Sequence, residues 1–394
     1  MKSEEISLKT VSENERRTRK VSNRIKKKYM AGKTYFDYPT LFLVIFLICF
    51  GMVMIYSTSS YKSMMTYGNS YKWVFKQGLV VLGGAIAIFL ISRADYRIIK
   101  GHKPAFLCLG IATFSMIAVL LVGAAKKGSV RWISIAGFQI QPSEFCKFLL
   151  IIYMANELAI NASQHKLKTL GDHAKILVPT IPVIGLVTYQ NLSTGLVICA
   201  MVGIMTFVVS QRTKELIITA VAFMAGIVVY LMTANSYRNE RFQIWLHPET
   251  HKKGFQTMQA LYAIGSGGIF GKGLGQSMQK MGFIPESHND MIFSIICEEL
   301  GLFGAVCLIL VFAALIWRML LIAMNADELL GSLLVIGVIT HIAMQVFVNI
   351  AVVTNTIPPT GIPLPFISYG GSSIFSTMIE MGIVLSVSRR IHLG

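Results

Sequence analysis

The chain has 394 residues, 54% of them hydrophobic and only 14% charged, and its mean hydropathy is +0.61. That balance excludes a soluble globular domain and describes an integral membrane protein. The net charge of +17 then reads as a signal of topology and anionic-lipid contact; no base-stacking or groove-reading motif accompanies it, which sets nucleic acid aside as a partner.

Residues 1–38 form a basic tail containing eleven Lys and Arg. It is too long and too charged for a signal peptide and no small-residue cleavage site follows it, so it is expected to stay as a disordered cytoplasmic anchor. Residues 39–394 are expected to form one membrane domain. Apolar runs of about 17–25 residues fall at 39–57, 75–92, 105–123, 144–160, 174–188, 192–210, 215–233, 290–317, 327–353 and 372–388. They predict an all-α polytopic membrane protein of about ten transmembrane helices, with a large extracytoplasmic loop, about 234–289, between helices 7 and 8. The positive-inside rule puts the tail in the cytoplasm, and ten crossings return Arg389 and Arg390 to the same side. Outside the tail each side of the membrane carries twelve Lys and Arg, so the tail alone sets the orientation. The six cysteines lie inside apolar runs with no CxxC or Cys/His clustering, which implies neither a zinc site nor a disulfide framework.

The first chemistry-bearing stretch, GSVRWISIAGFQIQPSEFCK (128–147), enters the fourth helix. Trp132 reads as an interfacial anchor and Pro142 suits the first helical turn. Glu144 and Lys147, three apart, share a helix face and make at least an intrahelical ion pair. With Arg131 just upstream, two cations beside a carboxylate also suit a diphosphate held at headgroup level.

In the large loop, AIGSGGIFGKGLGQS resembles a nucleotide-binding loop only superficially. Ser266 stands where such a loop needs Gly and Gly273 where it needs Ser or Thr, leaving glycine-permitted tight turns as the plainer reading. The loop ends in IPESHNDMIFSIICEELG (284–301). Asp290 at the threshold of the eighth helix reads as an N-cap and also as a general base flanked by Glu286 and His288, its basicity raised by partial desolvation, two roles that can coexist. On a regular helix Glu298 falls about 80° round from Asp290 and Glu299 about 180°. That makes Glu298 the expected neighbour of the site and Glu299 a structural contact with another helix.

The segment PPTGIPLPFISYGGSS (358–373) joins the last two helices. Four prolines and three glycines forbid regular helix, and irregular backbone near membrane depth survives only against protein or a wet cavity. A purely structural turn is one reading of the segment; the other makes Ser368 and Ser372 its candidate substrate contacts. His341, Gln345 and Asn349, at spacing four, aim a polar stripe at the same side, as a cavity wall or as interhelical hydrogen bonds. Three polar constellations thus converge on the outer face, and composition does not name their substrate.

Those stretches, with YRNERFQIWLHPE and GFQTMQALYAIGSGGIFGKGLGQSMQK, occur in an order that resembles the SEDS proteins (shape, elongation, division and sporulation), the polytopic peptidoglycan polymerases of bacteria. The likeness covers nearly the whole chain after the tail and is nearer to the division and sporulation members than to those of elongation. One departure is YQNLST, which places Asn191 where the family usually carries Asp in a QPDLGT-like segment. The resemblance implies a glycosyltransferase joining lipid II into glycan strands, with Asp290 matching the essential acid of the large loop and acting as base on the acceptor 4-hydroxyl. Arg131 and Lys147 would then offset charge on the undecaprenyl diphosphate leaving group and Glu144 would orient Lys147. Arg238, Arg241, Lys272, His288, Glu298, Ser368 and Ser372 are further substrate contacts to test. It also implies a class B penicillin-binding protein as partner, other divisome membrane proteins nearby, and a place at the division septum; diphosphate chemistry leaves room for Mg2+ or Mn2+, which no ligand set in the sequence proves. Two other classes stay open. A lipid II flippase would carry charged residues along the whole transit path, and a non-catalytic divisome scaffold would not need Asp290 beside a cation cluster.

Overall fold

The computed structural model describes residues 36–126, 129–135, 138–210, 212–219, 221, 243–251, 254–285 and 287–391. In lipid a spanning segment must satisfy its own backbone hydrogen bonds, so apolar runs become helices. Nine helices among the described residues are long and apolar enough to cross a membrane. They begin with α1 (Tyr38–Tyr67), α2 (Lys72–Arg93) and α3 (His102–Val122). A small antiparallel sheet follows, β1 (Ala124–Lys126), β2 (Ser129–Ile135) and β3 (Phe138–Ile140) in that order, which hydropathy does not announce. Next come α4 (Pro142–Ser163), α5 (Leu170–Leu177) running through a 3-10 turn into α6 (Ile181–Gln190) as one span, and α7 (Leu192–Val209). The short α8 (Phe255–Ser266) lies in the large loop, and α9 (Ile292–Met324), α10 (Leu329–Val353) and α11 (Gly371–Ser388) complete the bundle. Nine of the ten predicted spans are accounted for; the tenth, 215–233, is described only at 215–219 and 221, and nearly all of the basic tail lies outside the described residues.

Burial separates the helices into two groups. The apolar windows of α4, α10 and α11 are 67%, 61% and 78% buried against 17% for α2, so those three form the inner packing and α2 faces outward. At one end of the bundle the start of α1 is tied to α9 and α11: Arg318 bonds the buried Asp37 carboxylate at 2.7 Å and the Asp37 N–H donates to Ser388 Oγ at 3.4 Å. The sheet, the large loop and the proline segment gather at the opposite end. That proline segment is tucked into protein, with Leu364, Phe366 and Ile367 buried. Gly51 of α1 admits it: a Cβ at Gly51 would stand 2.5 Å from the Phe366 carbonyl oxygen.

α9 is broken at Gly301, whose φ of 68° and ψ of −169° are not helical. The glycine-rich loop fills the break. The N–H groups of Lys272 and Gly273 donate to the carbonyls of Glu298 and Glu299 at 3.0 and 2.9 Å, and those of Leu302 and Phe303 donate to Gly268 and Ile269 at 2.9 and 3.0 Å. Four backbone groups freed by the break are thereby satisfied, as burial demands. Such contact leaves no room for side chains: a Cβ on Gly271 would lie 2.2 Å from the Glu299 oxygen, and one on Gly301 2.3 Å from the Gly271 nitrogen. Gly301→Ala therefore meets both a left-handed backbone and a backbone clash, and is expected to lower stability by more than the roughly 1–3 kcal/mol of a strained residue. Gly268→Ala, at φ 59° with open space around its Cβ, is expected to cost only about 1–2 kcal/mol. Thermal unfolding of the two variants in detergent, read by intrinsic fluorescence, checks the order.

Candidate active site

Pro142 starts α4 and so places Glu144 and Lys147 in its first two turns. Lys147 Nζ donates to Glu144 Oε2 at 2.9 Å, with Lys147 1% and Glu144 4% exposed. Burying two charges is costly unless each finds a partner, and here they find one another. The start of α4 is pinned from α11: Ser372 Oγ accepts the Gln141 N–H at 3.0 Å and Ser376 Oγ donates to the Glu144 carbonyl at 2.9 Å. Beside this entry lies a polar cavity of about 30 Å³ lined by Gln141, Glu144 and Lys147 of the α4 entry, Asn191 and Thr194 of the α6–α7 junction, Gln345 of α10, and Gly361 and Ile362 of the proline segment. That volume admits one or two waters.

Asp290 adjoins this cavity across Gly361: a Cβ there would stand 3.5 Å from Asp290 Oδ2. Asn349 secures the arrangement, its Nδ2 donating at 2.8 Å both to the Asp290 carbonyl and to the Ile362 carbonyl. The turn bearing Asp290 and the proline segment are thus held by one α10 side chain. Asp290 is not the cap of α9, because the helix starts at Ile292 and Met291 takes the N-cap position.

The structure brings Asp290, Glu144 and Lys147 together and assigns several other candidates elsewhere. Glu298 and Lys272 pair with each other at 2.7 Å, and Glu298 also accepts from Ser277 Oγ and from the Met278 N–H. They clasp the glycine loop to the broken helix, so Glu298 is not the neighbour of Asp290 that helical spacing suggests and Lys272 is not a cation held in reserve. The kink and the inserted loop set those partners. Glu299 meets another helix as expected, accepting from Ser57 of α1 at 2.7 Å and from Lys280 at 2.8 Å. His288 is 2% exposed and caged by Trp73, ring centroids 4.0 Å apart, and by Tyr369 at 5.7 Å, and its carbonyl accepts the Tyr369 N–H at 2.8 Å. Burial, and then the neighbouring Tyr67, raise the Tyr369 phenol above its ordinary range. Ser368 Oγ accepts the Leu364 N–H at 2.8 Å and closes a turn within the proline segment, while Ser372 is spent on the α4 entry. Arg131 sits partly buried on β2. Arg238, Arg241 and Glu286 lie outside the described residues.

A family model described as a cell cycle protein, covering FtsW, RodA and SpoVE, matches residues 39–392. The chain belongs to the FtsW/RodA/SpoVE family. Stage V sporulation protein E of Bacillus subtilis is 36% identical over 91% of this chain and 98% of its own length. The probable peptidoglycan glycosyltransferase FtsW of Geobacter metallireducens is 34% identical over 90% and 95%. Among solved structures, a chain from a peptidoglycan synthase complex that coordinates polymerization and crosslinking matches with a TM-score of 0.75 at 25% identity, covering 91% of this chain and 99% of that one. RodA of Thermus thermophilus matches with a TM-score of 0.67 at 25% identity over 91% and 98%.

Against that family pattern the departure at Asn191 gains a location, since it lines the cavity wall. In the sequence Asn191 stands out only as a departure from the family segment, and the one signal of Thr194 and Ser376 is a polar residue within an apolar run. Among the described residues no group of three or more His, Cys, Asp or Glu side chains gathers as a resident metal would need.

Proposed function

We propose that this chain is a peptidoglycan glycosyltransferase that polymerises lipid II into glycan strands at the outer face of the cytoplasmic membrane. One juxtaposition carries the reading: the Asp290 carboxylate lies beside Gly361, and Gly361 lines the polar cavity whose wall also holds the buried Lys147–Glu144 pair. Membership of a family whose relatives include probable peptidoglycan glycosyltransferases supports it.

Asp290, as general base, takes the proton of the acceptor GlcNAc 4-hydroxyl while that oxygen forms its bond to the anomeric carbon of the donor MurNAc. Attack from the opposite face inverts the carbon, and the bond to undecaprenyl diphosphate breaks with its electron pair leaving on the diphosphate. Lys147, oriented by Glu144, offsets the charge building there, and Arg131 stands on β2 of the segment that leads into α4. Mg2+ or Mn2+ carried on the diphosphate would supply further charge neutralisation. Both termini lie in the cytoplasm and the cavity end faces outward, where the basic tail orients it. The partner is a class B penicillin-binding protein, a single-span transpeptidase that cross-links the strands. The likeness to a chain of a synthase that couples polymerization to crosslinking supports that pairing, and the FtsW and SpoVE relatives support a place among divisome proteins at the septum.

Purified protein incubated with labelled lipid II, alone and with its cognate penicillin-binding protein, is expected to yield polymer resolved by gel electrophoresis. If lipid II crosses vesicle membranes and no polymer forms with partner and divalent metal present, the flippase reading replaces this one.

A further inference from the structure

His341 and Glu380 meet deep in the bundle at 2.7 Å, each with a side chain 0% exposed. Among the described residues this is the one side-chain hydrogen bond that joins α10 to α11. An ionisable pair inside a membrane span is expensive, and an apolar pair of similar volume commonly serves stability as well or better. Stability is therefore a poor account of why these two residues sit there.

Their place in the frame offers a better one. Along α10, His341, Gln345 and Asn349 recur at spacing four; Asn349 holds the Asp290 turn and Gln345 lines the cavity. Along α11, Ser372, Ser376 and Glu380 recur at the same spacing, and the two serines hold the entry of α4 at Gln141 and Glu144. Eight residues separate the holding group from the pair on each helix, about 12 Å at 1.5 Å per residue. Two arms of equal length thus run down from the site, one carrying Asp290 and the other carrying Glu144 and Lys147, and meet at His341 and Glu380.

We infer that the His341–Glu380 hydrogen bond is a strut that sets the spacing between Asp290 and Lys147 and so positions the two halves of the site without touching substrate. The inference rests on the glycosyltransferase reading for its catalytic consequence, though not for its geometry. A bond at the foot of two arms limits their relative sliding, and a near-attack geometry tolerates little of it.

The decisive variant replaces both residues, His341→Leu with Glu380→Leu, which removes the strut and leaves no buried charge behind. Its melting temperature is expected to match or exceed that of the wild type, while kcat for glycan synthesis falls at least tenfold and KM for lipid II stays within about twofold. The exchanged pair, His341→Glu with Glu380→His, restores the bond in the opposite sense and is expected to recover most of the lost rate. A wild-type kcat in the double-Leu variant overturns the inference, and so does a drop in rate that merely follows a drop in melting temperature. Spin labels on noncanonical residues at Gln139 and Thr354 give a readout free of activity: the distance distribution is expected to broaden in the double-Leu variant and to narrow again in the exchanged one. Wild-type protein that makes no polymer sinks the glycosyltransferase reading but not the strut, which the label distances then decide; an unchanged distribution sinks the strut.

Discussion

Asp290→Asn is expected to leave a folded, membrane-inserted protein whose glycan synthesis falls by about 10²–10⁴, the usual contribution of a positioned general base, equivalent to roughly 3–5 kcal/mol of barrier. The substitution is nearly isosteric. It keeps the backbone carbonyl that Asn349 holds, and the start of α9 is untouched because Met291, not Asp290, occupies its cap position. The two effects a carboxylate can have at this place, capping and proton transfer, are therefore separable, and the melting temperature of the variant should stay near that of the wild type. Polymer yield from labelled lipid II, measured on material of equal monodispersity, checks it. Equal yields from Asn and Asp would move the base to another residue, and Glu144 is a poor heir because Lys147 already holds it at 2.9 Å.

Lys147→Met should act on fold and chemistry together. It removes one member of a buried pair and leaves the Glu144 carboxylate 4% exposed with its cation gone, a change that costs about 3–5 kcal/mol in comparable pairs. Expression and melting temperature are expected to fall, and polymer formation to vanish. Pairing it with Glu144→Gln removes the stranded charge, so the double variant should regain most of the melting temperature and still make no polymer. That contrast separates a lysine that serves the diphosphate from one that serves only its glutamate: full activity in the double variant would reduce the pair to a structural bond.

Much of the frame was legible because its causes are local. Hydropathy marks each span, since lipid demands an unbroken apolar helix, and spacing of three predicts the Glu144–Lys147 bond because a helix puts those residues on one face. The entry of α4 and the proline segment were legible for the same reason, through residues that forbid or favour a helical turn. Glu298 was not. Its angle round the helix suggests a place beside Asp290, yet its partners are Lys272 and Ser277 of a loop that enters the helix at Gly301, and helical periodicity carries no information about an inserted loop. His288 looks chemical beside Asp290 and is caged by Trp73 and Tyr369, contacts that arise only when three distant segments pack. The cavity wall at Asn191 and Thr194 was hidden because a single polar residue in an apolar run reads alike whether it faces a neighbour, a cavity or its own backbone.

The break at Gly301 also changes what α9 is mechanically. Residues 302–324, about 35 Å of helix at 1.5 Å per residue, already suffice to cross the hydrocarbon of a bilayer. Residues 292–300 are then a separate short rod riding on top, with Asp290 just beyond its free end and the Glu298 and Glu299 contacts at its foot. The bilayer fixes the long rod, whereas the short one is aimed by the loop backbone clasped around Gly301. The direction in which Asp290 points is therefore set by two holds, the clasped loop at the foot of the short rod and Asn349 at its other end, and a protein that grasps the large loop would pull on the first of them.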